Sequence, residues 1–453
     1  MCTTKPLRLE GLALVSVLTV LVAVGTWAGE SIQDLDPSGP IVAAVDSEPP
    51  TLCFAPGTSP EKIDRAIERL EAFIERNSLM PSSTLKHRIV SSWYRTATDG
   101  SGLSQGDPMT LTWSVVPDGT AIPDAIGEGA GNSNLRAFLN GHYGNQSTWL
   151  ALIQQVFDRW AELSGITYVY EPNDDGARLF SYPGQLGVRG DIRLGGKTID
   201  GNYGVLAYNY YPDNGDMVID TNDAFYDNKS SNSRGFRNTV AHEHGHGLGF
   251  NHVCPINQTK LMEPILSRAF DGPQHDDILA ANRSYGDRFE RDETPASAAA
   301  LGSFGSILEA NLSVDDNSDV DVYSFVVDAA GEADVTVTPT GSTYLEGPQN
   351  PDGSCTAGAS YNTLTIQDLA VRVLDVDGWT ELAAADSTGV GRAEVLDDVL
   401  MTSGAGTYYV EVSGDSSNAA QLYSLSLTVS PSDQIFATSF ESGDVAGWSG
   451  WVP

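Results

Sequence analysis

The sequence predicts an α+β domain followed by an all-β sandwich. Between about residues 105 and 290, short apolar strands and long amphipathic helices succeed one another in the order strand, helix, strand, strand, strand, helix. Beyond Glu290 the helical periodicity stops and period-two strands between turn residues take over. The charge changes at the same point, since Arg291, Arg372 and Arg392 are the only basic residues left in the chain.

Taken in order, the chain opens with Lys5 and Arg8, an apolar run from Leu12 to Val24, and the small residues Thr26 and Ala28. That pattern reads as a secretory signal peptide, residues 1–28, with a retained membrane anchor as the alternative that the shortness of the run disfavours; cleavage would place the mature protein outside the cell. No later segment is long and apolar enough to span a bilayer, so no stable membrane span is expected after cleavage. Residues 29–84 read as a leader: a Pro-, Asp- and Ser-rich stretch, then a helix opened by Ser59-Pro60-Glu61, with Ile63, Ile67, Leu70 and Ile74 on one face. Such a face needs a partner to pack against.

The domain at 85–290 begins its regular structure with a strand at Leu111–Val115. Trp149, Ile153, Val156 or Phe157, Trp160 and Leu163 mark one apolar face of a helix that stops at Gly165. Strands follow at Ile166–Tyr170, Gly190–Leu194 and Gly204–Ala207, which suggests a mixed twisted sheet with two large helices on one side. In the sandwich, residues 291–433, strands are expected at Val320–Val327, Ala333–Val337, Leu369–Leu374, Gly406–Val412 and Leu422–Leu427, in an antiparallel arrangement. Thr338 to Thr365 reads as a long inserted loop carrying Cys355. Residues 434–453 form a tail of unresolved role.

A formal charge of −35 argues against nucleic acid as a partner, because such binding needs a basic footprint that releases counterions.

The chemistry lies in His242-Glu243-His244-Gly245-His246-Gly247-Leu248-Gly249-Phe250-Asn251-His252. On a helix, His242 and His246 stand one turn apart and reach one ion from the same face. Gly249 lets the helix stop in a left-handed turn, which brings His252 back to the same ion. Three neutral imidazoles leave an open position on Zn²⁺, as in catalytic rather than structural sites. Glu243, beside the first ligand, is placed to activate a zinc-bound water. By composition alone the five fixed positions recur in about one chain of this length in 10⁵, so an incidental polar helix is a poor account. His244 faces away from the ion and is expected to be a surface or supporting histidine.

These residues resemble the metzincin zinc peptidases, and within them the matrixins, whose long motif His-Glu-x-x-His-x-x-Gly-x-x-His is matched at 242, 243, 246, 249 and 252. Met262, in Leu261-Met262-Glu263-Pro264, is similar to their Met-turn methionine. The resemblance implies a five-stranded sheet, a secreted zinc endopeptidase acting on a protein or peptide substrate, and structural support of the Met-turn by Asp276 or Asp277. It also implies an exposed edge strand at Leu206-Ala207, along which an extended substrate would lie. Asp200-Gly201 and Asp220 to Asp223 bring together hard oxygens that suit calcium, and they resemble the matrixin calcium loop. Tyr208 and Val218 stand where that family's second zinc would take histidines, so one zinc per chain is expected.

Two rival functions are a zinc hydrolase of non-peptide substrates and a non-catalytic adhesin or structural protein that retains the fold. The matrixin leader motif around a zinc-capping cysteine is missing. Cys53 is therefore open to three roles: a zinc cap, a disulfide to Cys254, or an unpaired thiol. The sandwich resembles the bacterial pre-peptidase C-terminal domain, and the roles left open for it are substrate or surface binding, secretion and stabilisation.

Overall fold

The structure is a computed structural model that describes residues 50–77, 89, 91–303, 305–328, 330–350, 352–415 and 418–431. The expected signal peptide and tail lie outside these residues.

The sheet of the first domain contains β1 (Thr51–Phe54), β2 (Met109–Val115), β3 (Ile166–Tyr170), β4 (Ile192–Lys197), β5 (Val205–Asn209) and β6 (Met217–Asp220), in the spatial order β1-β5-β6-β4-β2-β3. β2, β3, β4 and β6 run parallel, while β5 is antiparallel to both β6 and β1. It is the mixed sheet foreseen, with five strands from residues 109–220 and a sixth, β1, from the segment expected to be a leader. That sixth strand was not foreseen: Thr51 to Phe54 is too short to show a period. β6 is also hidden in an acidic stretch, and β4 sits two residues later than expected, because Gly190 and Asp191 lead into the strand.

α1 (Pro60–Asn77), the leader helix, begins where proline and an early glutamate favour it. Its apolar face has two partners. Ala66, with Ile63 and Leu70, joins a cluster with Leu52, Phe54, Val116, Val205 and Tyr208. Ile67 instead meets Gly353, where an added Cβ would stand 1.9 Å from Ile67 Cδ1. α2 (Leu135–Tyr143) precedes α3 (Gln146–Ala161), whose first turn is closed by the Asn145 side chain accepting from the Thr148 amide. The foreseen face of α3 is buried: Trp149, Ile153, Val156, Phe157 and Trp160 enter the main core with Trp113, Leu194 and Leu248. α4 (Ser230–Gly247) has three left-handed residues near its start, Ser231 to Ser233, and α5 (His275–Tyr285) closes the domain.

The second domain follows the very short β7 (Val253–Cys254). Its strands are β8 (Ala299–Ser303), β9 (Gly305–Val314), β10 (Val320–Val327), β11 (Gly331–Pro339), β12 (Thr343–Pro348), β13 (Ala359–Asn362), β14 (Ala370–Leu374), β15 (Glu381–Ala385), β16 (Glu394–Leu400), β17 (Gly406–Ser413) and β18 (Gln421–Pro431). Sheets of order β8-β10-β17-β14-β15 and β9-β18-β11-β16 enclose one core, in which Tyr323, Phe325 and Val410 meet Val335, Leu425 and Leu427. One pairing departs from the antiparallel expectation, since β8 runs parallel to β10.

The segment expected as a loop is instead a hairpin, β12 with β13, that leaves the sandwich and pairs with β7 of the first domain. Cys355 beyond β12 is joined to Cys254 in β7, with Cα atoms 5.4 Å apart. Among the described residues no helix is long and apolar enough to cross a membrane.

Candidate metal centre and cleft

The centre is built by the way α4 ends. The Phe250 amide donates to the Gly245 carbonyl (2.9 Å) and the Gly249 amide to that of His246 (2.8 Å), a two-bond closure of the last turn. Gly249 has φ +93, and a Cβ there would lie 1.9 Å from the Ser91 carbonyl oxygen, so only glycine fits. The carbonyls left over at the helix end are also bonded: the Trp93 indole donates to Gly247 O (2.8 Å) and the Tyr285 hydroxyl to Leu248 O (2.7 Å).

This turn returns His252 to the face bearing His242 and His246. The Nε2 atom of His252 is 3.2 Å from Nε2 of His242 and 3.2 Å from Nε2 of His246. Nitrogens held at about 2.0–2.1 Å around a tetrahedral Zn²⁺ stand about 3.3 Å apart, so the spacing fits that ion. The far nitrogens fit it too. His242 Nδ1 meets Leu261 O at 2.7 Å, His246 Nδ1 meets Phe250 O at 2.7 Å and His252 Nδ1 meets Gln349 Oε1 at 2.8 Å. Each partner is an acceptor, so each Nδ1 carries the proton and each Nε2 lone pair faces the common point. Burial lowers the pKa of His242 to about 4 and that of His252 to about 3, which keeps the rings neutral.

His244 points to the other side of α4, as the spacing implied, but it is buried. The Tyr168 hydroxyl lies 2.6 Å from its Nε2, and Phe157 and Trp160 meet its ring edge-on. It is a core residue.

Met262 lies beneath the histidines. A Cβ on Gly245 would stand 2.3 Å from Met262 Sδ, so the bare backbone of Gly245 makes room for the thioether. Of the two carboxylates considered for support, Asp277 meets the turn: its oxygens accept from Leu261 N (2.8 Å), Met262 N (3.2 Å) and Gln274 N (2.8 Å). Asp276 accepts from the Tyr344 hydroxyl of β12.

Glu243 is fully buried, and burial pushes its carboxyl well up from the usual range. Among the described residues its oxygens have no nitrogen or oxygen donor; its near neighbour is the Cys53 thiol. Ligand atoms of Cys53, His242 and Glu243 lie within 4.8 Å of one another. Cys53 is free and buried, so a bond to Cys254 is ruled out in this structure, Cys254 being paired with Cys355.

Leu206 and Ala207 lie in β5, whose outer edge was expected to be open. β1 covers it, pairing Cys53 with Ala207 and Leu52 with Tyr208. The other side of β1 is bonded to the segment after the Met-turn, through Phe54 N to Pro264 O (3.1 Å) and Leu266 N to Phe54 O (3.0 Å). Residues 51–54 therefore lie between β5 and the segment from Pro264 to Leu266.

Two acidic groups stand apart. At the loop read from the sequence, Gly201 is left-handed (φ +75), and the carboxylates face backbone amides. Asp200 accepts from Val205 N, Asp220 from Asp200 N, Gly201 N and Asn222 N, and Asp223 from Tyr203 N and Phe225 N. The other group sits where the two domains meet: ligand oxygens of Glu290, Asp315 and Asp319 lie within 4.8 Å of one another. Asp287, Asp292 and Asp321 adjoin it. Asp292 and Asp321 are each 1% exposed, yet both oxygens of the former and one of the latter have no hydrogen-bond partner among the described residues. Burial first and mutual repulsion second push these carboxyls up, Asp315 to about 8 and Asp319 to about 7.

A sequence model of the Matrixin peptidase family matches residues 140–286. A comparison with curated proteins finds no match. Among solved structures, the pre-peptidase C-terminal domain of collagenase from Bacillus anthracis is similar at 16% identity, covering 29% of this chain and 94% of that one, with a TM-score of 0.17. PliG of Aeromonas hydrophila, a periplasmic inhibitor of g-type lysozyme, is similar at 12% identity over 29% of this chain and 97% of that one, also at 0.17. At those scores neither likeness bears on fold or role.

Proposed function

We propose that residues 140–286, matched by the Matrixin model and holding the three converging histidines, are the catalytic domain of a zinc-dependent endopeptidase, exported in a latent form in which Glu243 is the general base and the leader masks the substrate edge. The observation that carries this reading is the convergence of three Nε2 atoms next to Glu243, with Cys53 of the strand paired on β5 beside them. Bound at His242, His246 and His252, zinc supplies Lewis acidity to a peptide carbonyl and to water.

The chain's own residues do the rest. The β5 edge at Leu206 and Ala207 offers main-chain hydrogen bonds to an extended substrate, as it does here to β1. Glu243 takes a proton from water as its oxygen bonds to the carbonyl carbon, and gives it to the amine nitrogen as the carbon–nitrogen bond breaks. Asp277 and Met262 hold the floor on which His242 rests. While β1 is paired on β5, a substrate strand has no edge to join there, and the Cys53 thiol stands beside His242 and Glu243.

For calcium, Glu290, Asp315 and Asp319 with their neighbours suit a hard cation better than the loop at Asp200, Gly201, Asp220 and Asp223. In that loop the carboxylates already accept amide hydrogens; at the domain junction buried oxygens lack donors among the described residues. The sandwich would then serve the enzyme as a fastened support, with substrate or surface binding as its further role.

The experiment is digestion of a denatured protein by leader-free chain, set beside Glu243→Ala and a chelated sample. The reading requires cleavage by wild type alone. Zinc-loaded wild type that cleaves no peptide sends the assignment to a non-peptide hydrolase or a non-catalytic protein.

A further inference from the structure

The three zinc-side histidines are not anchored alike. Those of α4 are held by carbonyls close in sequence, Leu261 O and Phe250 O, whereas His252 is held by a side chain 97 residues away, Gln349 Oε1 at 2.8 Å. From these contacts we infer that Gln349 is a positioning residue for His252, so that the second domain completes the metal centre of the first.

The amide is oriented for this task. Gln349 Nε2 donates to Gly353 O at 2.9 Å, which leaves Oε1 turned to His252 and fixes the proton on Nδ1. An amide oxygen also orients the ring without placing a full negative charge behind it, so the charge on the ion is kept.

The segment carrying Gln349 is fastened at several independent points. Cys254, two residues past His252, is disulfide-bonded to Cys355, and Gln349 and Cys355 face each other as an antiparallel bridge. Val253 and Cys254 pair with Pro348 and Gly347. Lys260 Nζ donates to Leu345 O (3.3 Å), and the Tyr344 hydroxyl donates to Asp276 on α5. A hairpin that merely covered the domain would not need its disulfide, its strand pairing and its glutamine concentrated within a few residues of one ligand. The arrangement links a sandwich insertion to zinc retention, and removing the second domain would unseat His252.

This inference rests on His252 being a zinc ligand, and the test separates the two claims. Zinc affinity of the full chain is measured by chelator competition for wild type, Gln349→Leu, Gln349→Glu and His252→Ala, with cobalt(II) absorption spectra of the same set. Gln349→Leu has no acceptor and should bind zinc about 10- to 100-fold more weakly, with an altered cobalt spectrum. Gln349→Glu keeps an acceptor for Nδ1 but loses the donor to Gly353 O, so it should retain wild-type zinc affinity or better. If the glutamine only braces the hairpin, the Glu variant suffers as much as the Leu variant, and the inference fails. It fails equally if Gln349→Leu keeps both affinity and spectrum. Should Gln349→Leu not fold, the Glu variant is set against wild type alone: wild-type zinc affinity or better supports the inference, and a loss of about tenfold or more overturns it. Unchanged affinity in His252→Ala would instead overturn the triad.

Discussion

Replacing Asp277 by alanine removes the acceptor for three backbone amides at once, and two of these, Leu261 N and Met262 N, are buried beneath the histidines. A hydrogen bond to a charged group contributes about 1.5–3 kcal/mol, and each buried donor left without a partner costs a similar amount. The two turn amides together set the loss at about 3–6 kcal/mol, with water taking over at the less buried Gln274 N. Asp277→Asn tests the arithmetic. Its single carbonyl oxygen can keep the Leu261 and Gln274 amides but must turn an NH₂ toward Met262 N, for a loss of about 1.5–3 kcal/mol. The effect should reach the metal, because the Leu261 carbonyl that accepts from His242 Nδ1 belongs to the same peptide group as the Met262 amide that Asp277 holds. Urea unfolding of the zinc-loaded chain measures stability, and chelator competition measures an expected drop of about tenfold in zinc affinity. An alanine variant within about 0.5 kcal/mol of wild type would refute the reasoning.

Other outcomes follow from the same contacts. Leader-free chain should cleave a peptide faster than full-length chain, with full-length Cys53→Ala between them; equal rates in all three would remove the masking role of β1. Reduction of Cys254–Cys355, which are 101 residues apart, should lower stability by about 4–5 kcal/mol in the chain-entropy account, and urea unfolding with and without dithiothreitol reads it. The junction carboxyls have folded-state pKa values above their unfolded ones, so their stabilising contribution is present at low pH and lost as pH rises through about 7 for Asp319 and about 8 for Asp315. Calcium-free chain should therefore melt at higher temperature at pH 6 than at pH 8, and added calcium should raise the melting temperature more at pH 8; the opposite order would remove the cation site.

The zinc ligands were legible because helix periodicity and a glycine stop fix their geometry within eleven residues, 242 to 252. The buried face of α3 was legible for the same reason, and β3 began and ended where its β-branched and aromatic run did. What escaped depends on distant pairings. Thr51 to Phe54 becomes a strand only because the edge of β5 is there to receive it, and the thiol of Cys53 reaches Glu243 only through that register. His244 gave the right direction but not its burial, which Tyr168, Phe157 and Trp160 create from another part of the chain. Gln349 lies in a stretch of Gly, Pro, Asn and Asp that carries every local sign of a loop. Its contact with His252 requires a hairpin to cross between domains, and no local pattern encodes that crossing.

The central claim is that three imidazoles hold one zinc and leave a place for solvent. Zinc-edge X-ray absorption on leader-free, metal-replete chain tests it most directly. The expected spectrum is that of one ion with three nitrogen ligands at about 2.0–2.1 Å and one light oxygen ligand, reduced to two nitrogens in His252→Ala. A fourth protein ligand in that leader-free form, or a spectrum indifferent to the loss of His252, would contradict it.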